Sequence, residues 1–407
     1  MQETRITAQD VREARDLLAP VTHVTPMLTS RRLCSLTGVA VHLKCENLQR
    51  TGSFKLRGAY VRIAGLDIEE RARGVVAASA GNHAQGVALA ASLLDARSTI
   101  FVPSGAPLPK LAATRDYGAA VRTAGTTVDE AMEAARRFSD ETGAVFIHPF
   151  DHRDVITGQA TVGAEILEQC PRVRTVLVGL GGGGLLAGIA AAVKLSRPHV
   201  KVVGVQALGA AAFPPSLAAG HPVTLEHMST VADGLMVQRP GDLTFEMVKA
   251  LGDGVVTVSE ESLAKAVLLS LERLKLVVEP AGASSIAALL EHPNTFEGPV
   301  VAVLTGGNID AELLQRFLRH DLASAGRRTR IRVQVADHAD AMTKLHSCVS
   351  RANANVLDVE RVDVDPGLDL TRIEVDVLLA IEGDDHRVAV IEELGKAGIT
   401  VLPRQGR

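Results

Sequence analysis

The sequence predicts an α/β protein, with two open, largely parallel sheets followed by a C-terminal ferredoxin-like βαββαβ domain. Three observations predict it. Short β-branched runs alternate with helix-like segments up to about residue 320, as in βαβ units. The 46% hydrophobic content is dominated by small and branched residues and includes no Trp, which suits buried parallel strands under close-packed helices. Past about residue 326 the order becomes strand, helix, strand, strand, helix, strand.

The elements follow in order. "MQETRITAQDVREARDLL" reads as an amphipathic helix without an apolar signal core. Strand candidates are 41–46, 74–79, 98–103, 119–124, 145–150, 175–180, 201–206, 255–259 and 299–306. Nine strands over this length fit two sheets better than one. "NHAQGVALAASLL" and "VDEAMEAARRFSDETG" are typical of the intervening helices. "ASAGRRTR", 323–330, marks the boundary. The expected division is 1–325 and 327–407, the first part comprising a small subdomain at about 41–150 and a large one from 1–40 and 151–325. The tail reads as strand 330–335, helix 338–352, strands 355–364 and 370–382, helix 384–396 and strand 399–402.

A net charge of −4 gives no footing for nucleic acid or an anionic membrane surface, and the short "RRTR" reads as a solvated linker. Cys34, Cys45, Cys170 and Cys348 lack metal spacing and read as reduced thiols. No run approaches the ~20 apolar residues of a membrane span. The expectation is a soluble, cytoplasmic protein.

Lys55, in "ENLQRTGSFKLRGAY", falls in the first turn of a helix for which Thr51 and Ser53 are candidate N-caps. The positive end of the helix dipole disfavours a cation there. Such a lysine either points into water or serves as an amine made easier to deprotonate, and neutral amines form Schiff bases.

The strand "TVLVGL" runs into Gly181, Gly182, Gly183 and Gly184 and then a helix. Such a corner converges backbone N–H groups on a phosphate. Gly179-x-Gly181-x-x-Gly184 also matches a dinucleotide fingerprint, but Gln206 stands where the ribose-binding acid is expected. A second corner, Ser79-Ala80-Gly81-Asn82-His83, has amides suited to a carboxylate. A third is Thr305 followed by Gly306, Gly307 and Asn308. Three corners and one lysine could converge on pyridoxal phosphate, which needs an amine, a phosphate cradle and a polar partner for its ring nitrogen.

Taken together, "TGSFKLRGAY", "SAGNHAQGVA", "GGGGLLAGIA" and "TGGNID" resemble the threonine dehydratase (threonine ammonia-lyase) family. These are fold-type-II pyridoxal-phosphate enzymes of tryptophan synthase β-like architecture, and the resemblance spans roughly residues 5–320. It implies that Lys55 forms the Schiff base and acts as general base, next to Phe54. Gly181 to Gly184 and Leu185 would surround the phosphate. Asn82 would approach the phenolic oxygen and Thr305 the ring nitrogen. Ser79, Ala80, Gly81, Asn82 and His83 would hold the substrate carboxylate. The implied reaction is β-elimination of L-threonine, and of L-serine, to a 2-oxo acid and ammonia.

Related serine racemases carry a serine at the position of Ala80 and metal-binding acids at those of Gln206 and near Ala212. The expectation is therefore elimination rather than racemisation, and no metal. The tail resembles an ACT-type domain, a module that binds amino-acid effectors. Its usual D-x-P-G loop reads here "DHADAM", Asp337 to Met342. A homodimer or homotetramer is implied. Rival readings are a serine racemase, another hydroxy-amino-acid lyase, or a cofactor-retaining amino-acid sensor.

Overall fold

The computed structural model describes residues 5–324, 326–362 and 371–403. Two compact units divide at Met1–Asp310 and Ala311–Arg407. In the first unit the strands are β1 (Met27–Thr29), β2 (Val41–Cys45), β3 (Val75–Ala78), β4 (Ser98–Val102) and β5 (Ala120–Thr123). They continue with β6 (Val145–Phe146), β7 (Thr175–Gly179), β8 (Lys201–Ala207), β9 (Val255–Val258) and β10 (Val300–Leu304).

They form two sheets. One has the order β5-β4-β3-β6 and is wholly parallel. The other has the order β1-β2-β10-β7-β8-β9, parallel except for β1, which pairs antiparallel with β2. All nine expected strands of this unit are present, and β1 is additional. Its three residues carry too little pattern to stand out. β2 lies in the six-stranded sheet beside β10, which corrects its assignment to the small subdomain. That pairing joins residues 41–45 to residues 300–304, a partnership no local pattern specifies. The strand expected at 145–150 stops at Phe146, because the His148 ring accepts the N–H groups of Phe150 and Asp151 and turns the chain.

Two cores support the sheets. The helix Lys55–Ala64 contributes Leu56, Ala59, Tyr60 and Ile63 to the core of the small sheet. The helices Arg153–Gln169 and Gly184–Ser196 pack over the six-stranded sheet. All five residues of β10 are fully buried. Each buried Val or Leu contributes roughly 1.5–3 kcal/mol, so the strand that carries Thr305 at its end is among the firmest parts of the unit.

The second unit opens with the helix Ala311–Ser324 and forms an antiparallel sheet of order β12-β13-β11-β14. Its strands are β11 (Arg328–Ala336), β12 (Asn355–Val362), β13 (Arg372–Ala380) and β14 (Thr400–Leu402). The helices Ala341–Arg351 and Asp384–Lys396 complete the βαββαβ order. The expected strand ends at 363–364 and 370 lie outside the described residues. No helix among the described residues is long and apolar enough to cross a membrane.

Candidate active site

Lys55 is the first residue of its helix, but neither Thr51 nor Ser53 caps it. Thr51 has a left-handed backbone (φ 65) within a 3-10 turn, and Ser53 is extended and bridged to Gly306. Both hydroxyls are buried with no protein partner. The cap position belongs to Phe54, whose N–H donates to the Thr305 carbonyl at 3.2 Å. Long-range pairing with the strand-end corner overrides local capping here. The Lys55 ammonium donates to the Pro149 carbonyl at 2.9 Å and lies 5.1 Å from the Phe54 ring centre. Burial pushes its pKa down to about 8, against the pull of Glu279.

Pro149 belongs to the loop after β6, and this loop reaches the four-glycine corner. The Phe150 ring packs on Gly182 so closely that a Cβ there would fall 2.4 Å from it. Gly183 has φ +102 and begins the helix Gly184–Ser196 as its N-cap. The first-turn N–H groups of a helix have no partner within it. Leu185 sends its side chain into the core, so only its backbone faces this corner. A Cβ on Gly181 would sit 3.0 Å from the Gly234 carbonyl.

The Ser79–His83 corner closes the other side. Ser79 Oγ accepts the Gly81 N–H at 3.1 Å, and Asn82 starts the helix Asn82–Leu93. His83 does not offer its Nε2 to a ligand. It bonds the Ile147 carbonyl at 2.9 Å, and burial holds its pKa down at about 3, so the neutral ring is a donor. The His83 ring fixes the β6 loop to the helix rather than turning its Nε2 into the corner. Ala80 carries only a methyl group.

Glu279 escapes sequence reasoning. It reads as an ordinary acid before the helix Pro280–Glu291, yet it is buried and does not cap that helix. Asn82 donates to its carboxylate at 2.6 Å. A Cβ on Gly306 would lie 2.3 Å from the same oxygen. Burial, then nearby Asp233, pushes the Glu279 pKa up to about 7. Asn308 donates to Asn82 Oδ1 and to the Thr51 carbonyl, both at 2.7 Å. The Asn82, Glu279 and Thr305–Asn308 corners are thus one hydrogen-bonded assembly around Lys55.

Behind Lys55 lies a buried ionic cluster. Arg57 donates to both oxygens of Glu46 at 2.8 and 2.9 Å and to Glu165 at 2.7 and 3.1 Å. Lys44 bonds Glu165 and the Thr25 carbonyl. Two cations and two anions balance, which is how charges persist without water. The cluster anchors the turn from which Lys55 projects. Gln206 accepts the Phe213 N–H at 2.9 Å within its own loop. Among the described residues no group of three or more His, Cys, Asp or Glu is placed to hold a metal ion.

These features fit pyridoxal phosphate. A half-buried amine has one carbonyl partner, a four-glycine corner opens a helix whose first-turn N–H groups have no partner within it, and the Ser53 hydroxyl two residues before the amine is unpartnered. The fold and the site define a pyridoxal-phosphate enzyme. Residues 18–306 match the family described as pyridoxal-phosphate dependent enzyme, and the chain belongs to it. Within that family the chain is similar to L-threonine ammonia-lyases. It is 48% identical to that of Thermotoga maritima, over 87% of this chain and 88% of the relative. It is 41% identical to that of Geobacter sulfurreducens, over 96% of this chain and 98% of the relative, a match that takes in most of the C-terminal unit. Among solved structures, a T.th. threonine deaminase is 44% identical, with a TM-score of 0.72 over 75% of this chain and 99% of that one. Maize serine racemase is 36% identical, with a TM-score of 0.73 over 78% of this chain and 98% of that one.

Proposed function

We infer that this protein is a pyridoxal-phosphate-dependent L-threonine ammonia-lyase, converting L-threonine to 2-oxobutanoate and ammonia, and L-serine to pyruvate and ammonia. The observation that carries the reading is the Lys55 amine, half-buried at a helix start and bonded to the Pro149 carbonyl in the loop that packs on the four-glycine corner. Similarity to threonine ammonia-lyases supports the substrate.

Pyridoxal phosphate, when bound, supplies an aldehyde for amines and a conjugated ring that delocalises the electron pair left at the substrate Cα. Lys55 would hold it covalently, with Gly181 to Gly184 and the Leu185 backbone at its phosphate, Asn82 at its phenolic oxygen and Thr305 at its ring nitrogen. The free Lys55 amine would take the Cα proton, and its lowered pKa of about 8 favours the neutral form that does so. The corner Ser79 to His83 binds the substrate carboxylate through backbone amides at a helix start.

The C-terminal unit is proposed as an ACT-type regulatory domain, residues 327–407, on a cytoplasmic homodimer or homotetramer, with an amino acid as its effector. The test is release of oxo acid and ammonia by the purified protein from L-threonine and from L-serine, with and without isoleucine. Release from neither substrate overturns the reading.

A further inference from the structure

A second helix start lies directly behind the glycine corner. Gly183 is backed by Thr244, whose Cβ would lie 2.9 Å from a Cβ at Gly183. Thr244 is fully buried in the first turn of the helix Asp242–Leu251. Its hydroxyl donates to the Gly182 carbonyl at 2.6 Å. Asp151, next to Phe150, places one carboxylate oxygen on the Thr244 N–H at 3.0 Å and the other on the Asp242 N–H at 3.1 Å. An anion at the positive end of a helix is favoured, so Asp151 both caps this helix and neutralises it.

The geometry constrains the cradle. A trans peptide is planar, with its C=O and N–H on opposite sides. Holding the Gly182 carbonyl against Thr244 turns the Gly183 N–H away from Thr244. Without that bond a glycine–glycine peptide is free to rotate.

We propose that Thr244 and Asp151 are positioning residues for the cofactor's phosphate: Thr244 holds the Gly182 carbonyl back so that the Gly183 N–H meets the phosphate, and Asp151 holds Thr244. The inference rests on the pyridoxal-phosphate reading above and deepens it. Neither residue touches the phosphate itself. Neither residue bonds the Lys55 amine, so their effect falls chiefly at the phosphate end.

The experiment titrates the full-length protein, freed of cofactor, with pyridoxal 5'-phosphate and separately with pyridoxal, which lacks the phosphate. Binding is followed by the absorbance of the ligand joined to Lys55. Thr244→Val keeps the shape and removes the donor. It is expected to weaken pyridoxal 5'-phosphate roughly tenfold or more, the effect of leaving a buried carbonyl unpaired, while pyridoxal changes by no more than about twofold. Thr244→Ser restores the donor and most of the affinity. Asp151→Asn turns an amide NH2 toward a backbone N–H and weakens the phosphate form selectively. If Thr244→Val does not fold, Asp151→Asn is read by the same pair of titrations. Unchanged affinity for pyridoxal 5'-phosphate, or equal loss for both ligands, overturns the proposal. Failure of the parent protein to bind pyridoxal 5'-phosphate overturns this inference and the cofactor reading together.

Discussion

Asn82 donates its side-chain amide to Glu279 at 2.6 Å while accepting from Asn308 at 2.7 Å. The two bonds fix which end of the Asn82 amide carries the hydrogens. One Nδ2 hydrogen goes to Glu279. Asn82 is held by two partners, each roughly 200 residues away along the chain.

The pH dependence of stability carries the mark of Glu279. Its folded pKa of about 7 exceeds the ordinary 4.5. The folded protein therefore binds this proton more tightly than the unfolded chain. The stabilisation is full below about pH 4.5 and is lost as pH rises through 7, at up to about 1.4 kcal/mol per pH unit. Glu279→Gln is expected to flatten that decline. Urea unfolding of the cofactor-free protein across this window checks it, and an unchanged slope in the variant would falsify the assignment.

Lys55→Ala is expected to abolish turnover and the absorbance of lysine-bound cofactor without loss of fold. The lysine is itself a liability: its folded pKa of about 8 lies below the ordinary 10.5. That destabilisation is full below pH 8 and fades as pH rises to 10.5. The cofactor-free variant should resist urea at neutral pH at least as well as the parent. Near-native deamination by the variant would sink the mechanism.

Arg57→Met removes the centre of the buried cluster and leaves Glu46 and Glu165 sharing only Lys44. Breaking such a group by deleting one partner costs about 3–5 kcal/mol. Burial alone would push Glu46 up, yet Arg57 holds its carboxyl below the usual range. Calorimetry should record a large fall in Tm; a loss under about 1 kcal/mol would mean that the cluster is not a clamp.

Ala80 carries only a methyl group and has no proton to donate. L-serine should therefore yield pyruvate and ammonia with D-serine at most a trace, and Ala80→Ser should raise the D-serine share. Chiral separation of the residual amino acid decides the matter. Abundant D-serine from the unaltered protein would contradict the preference for elimination.

The second unit has its own buried core, centred on Val333, Leu345, Val377, Leu379 and Leu394. A chain ending after Ser324 is expected to stay soluble and deaminate threonine, while any response to an amino-acid effector disappears. Gel filtration beside the ketoacid assay reads both properties. Wholly insoluble protein would argue instead for a tail that the enzyme needs in order to fold.

Local chemistry makes much of this protein legible in its sequence. Nine strands of the first unit and the βαββαβ order of the second follow from runs of β-branched residues and periodic helices, whose signals lie within a few residues of each other. Lys55 at a helix start and four glycines after a strand are equally local, and they point to an amine and a phosphate cradle. Other features depended on the tertiary structure. Ser53 looked like a cap but is drawn into a bridge with Gly306, because a strand end far along the chain offers a stronger arrangement than its own helix. β2 joined the larger sheet for the same reason. Glu279 precedes Pro280 as any helix-starting acid would; only the convergence of residues 82, 279 and 306 buries it and raises its pKa. Capping and periodicity act over one or two turns of chain, whereas desolvation and cross-chain hydrogen bonds exist only once distant segments meet.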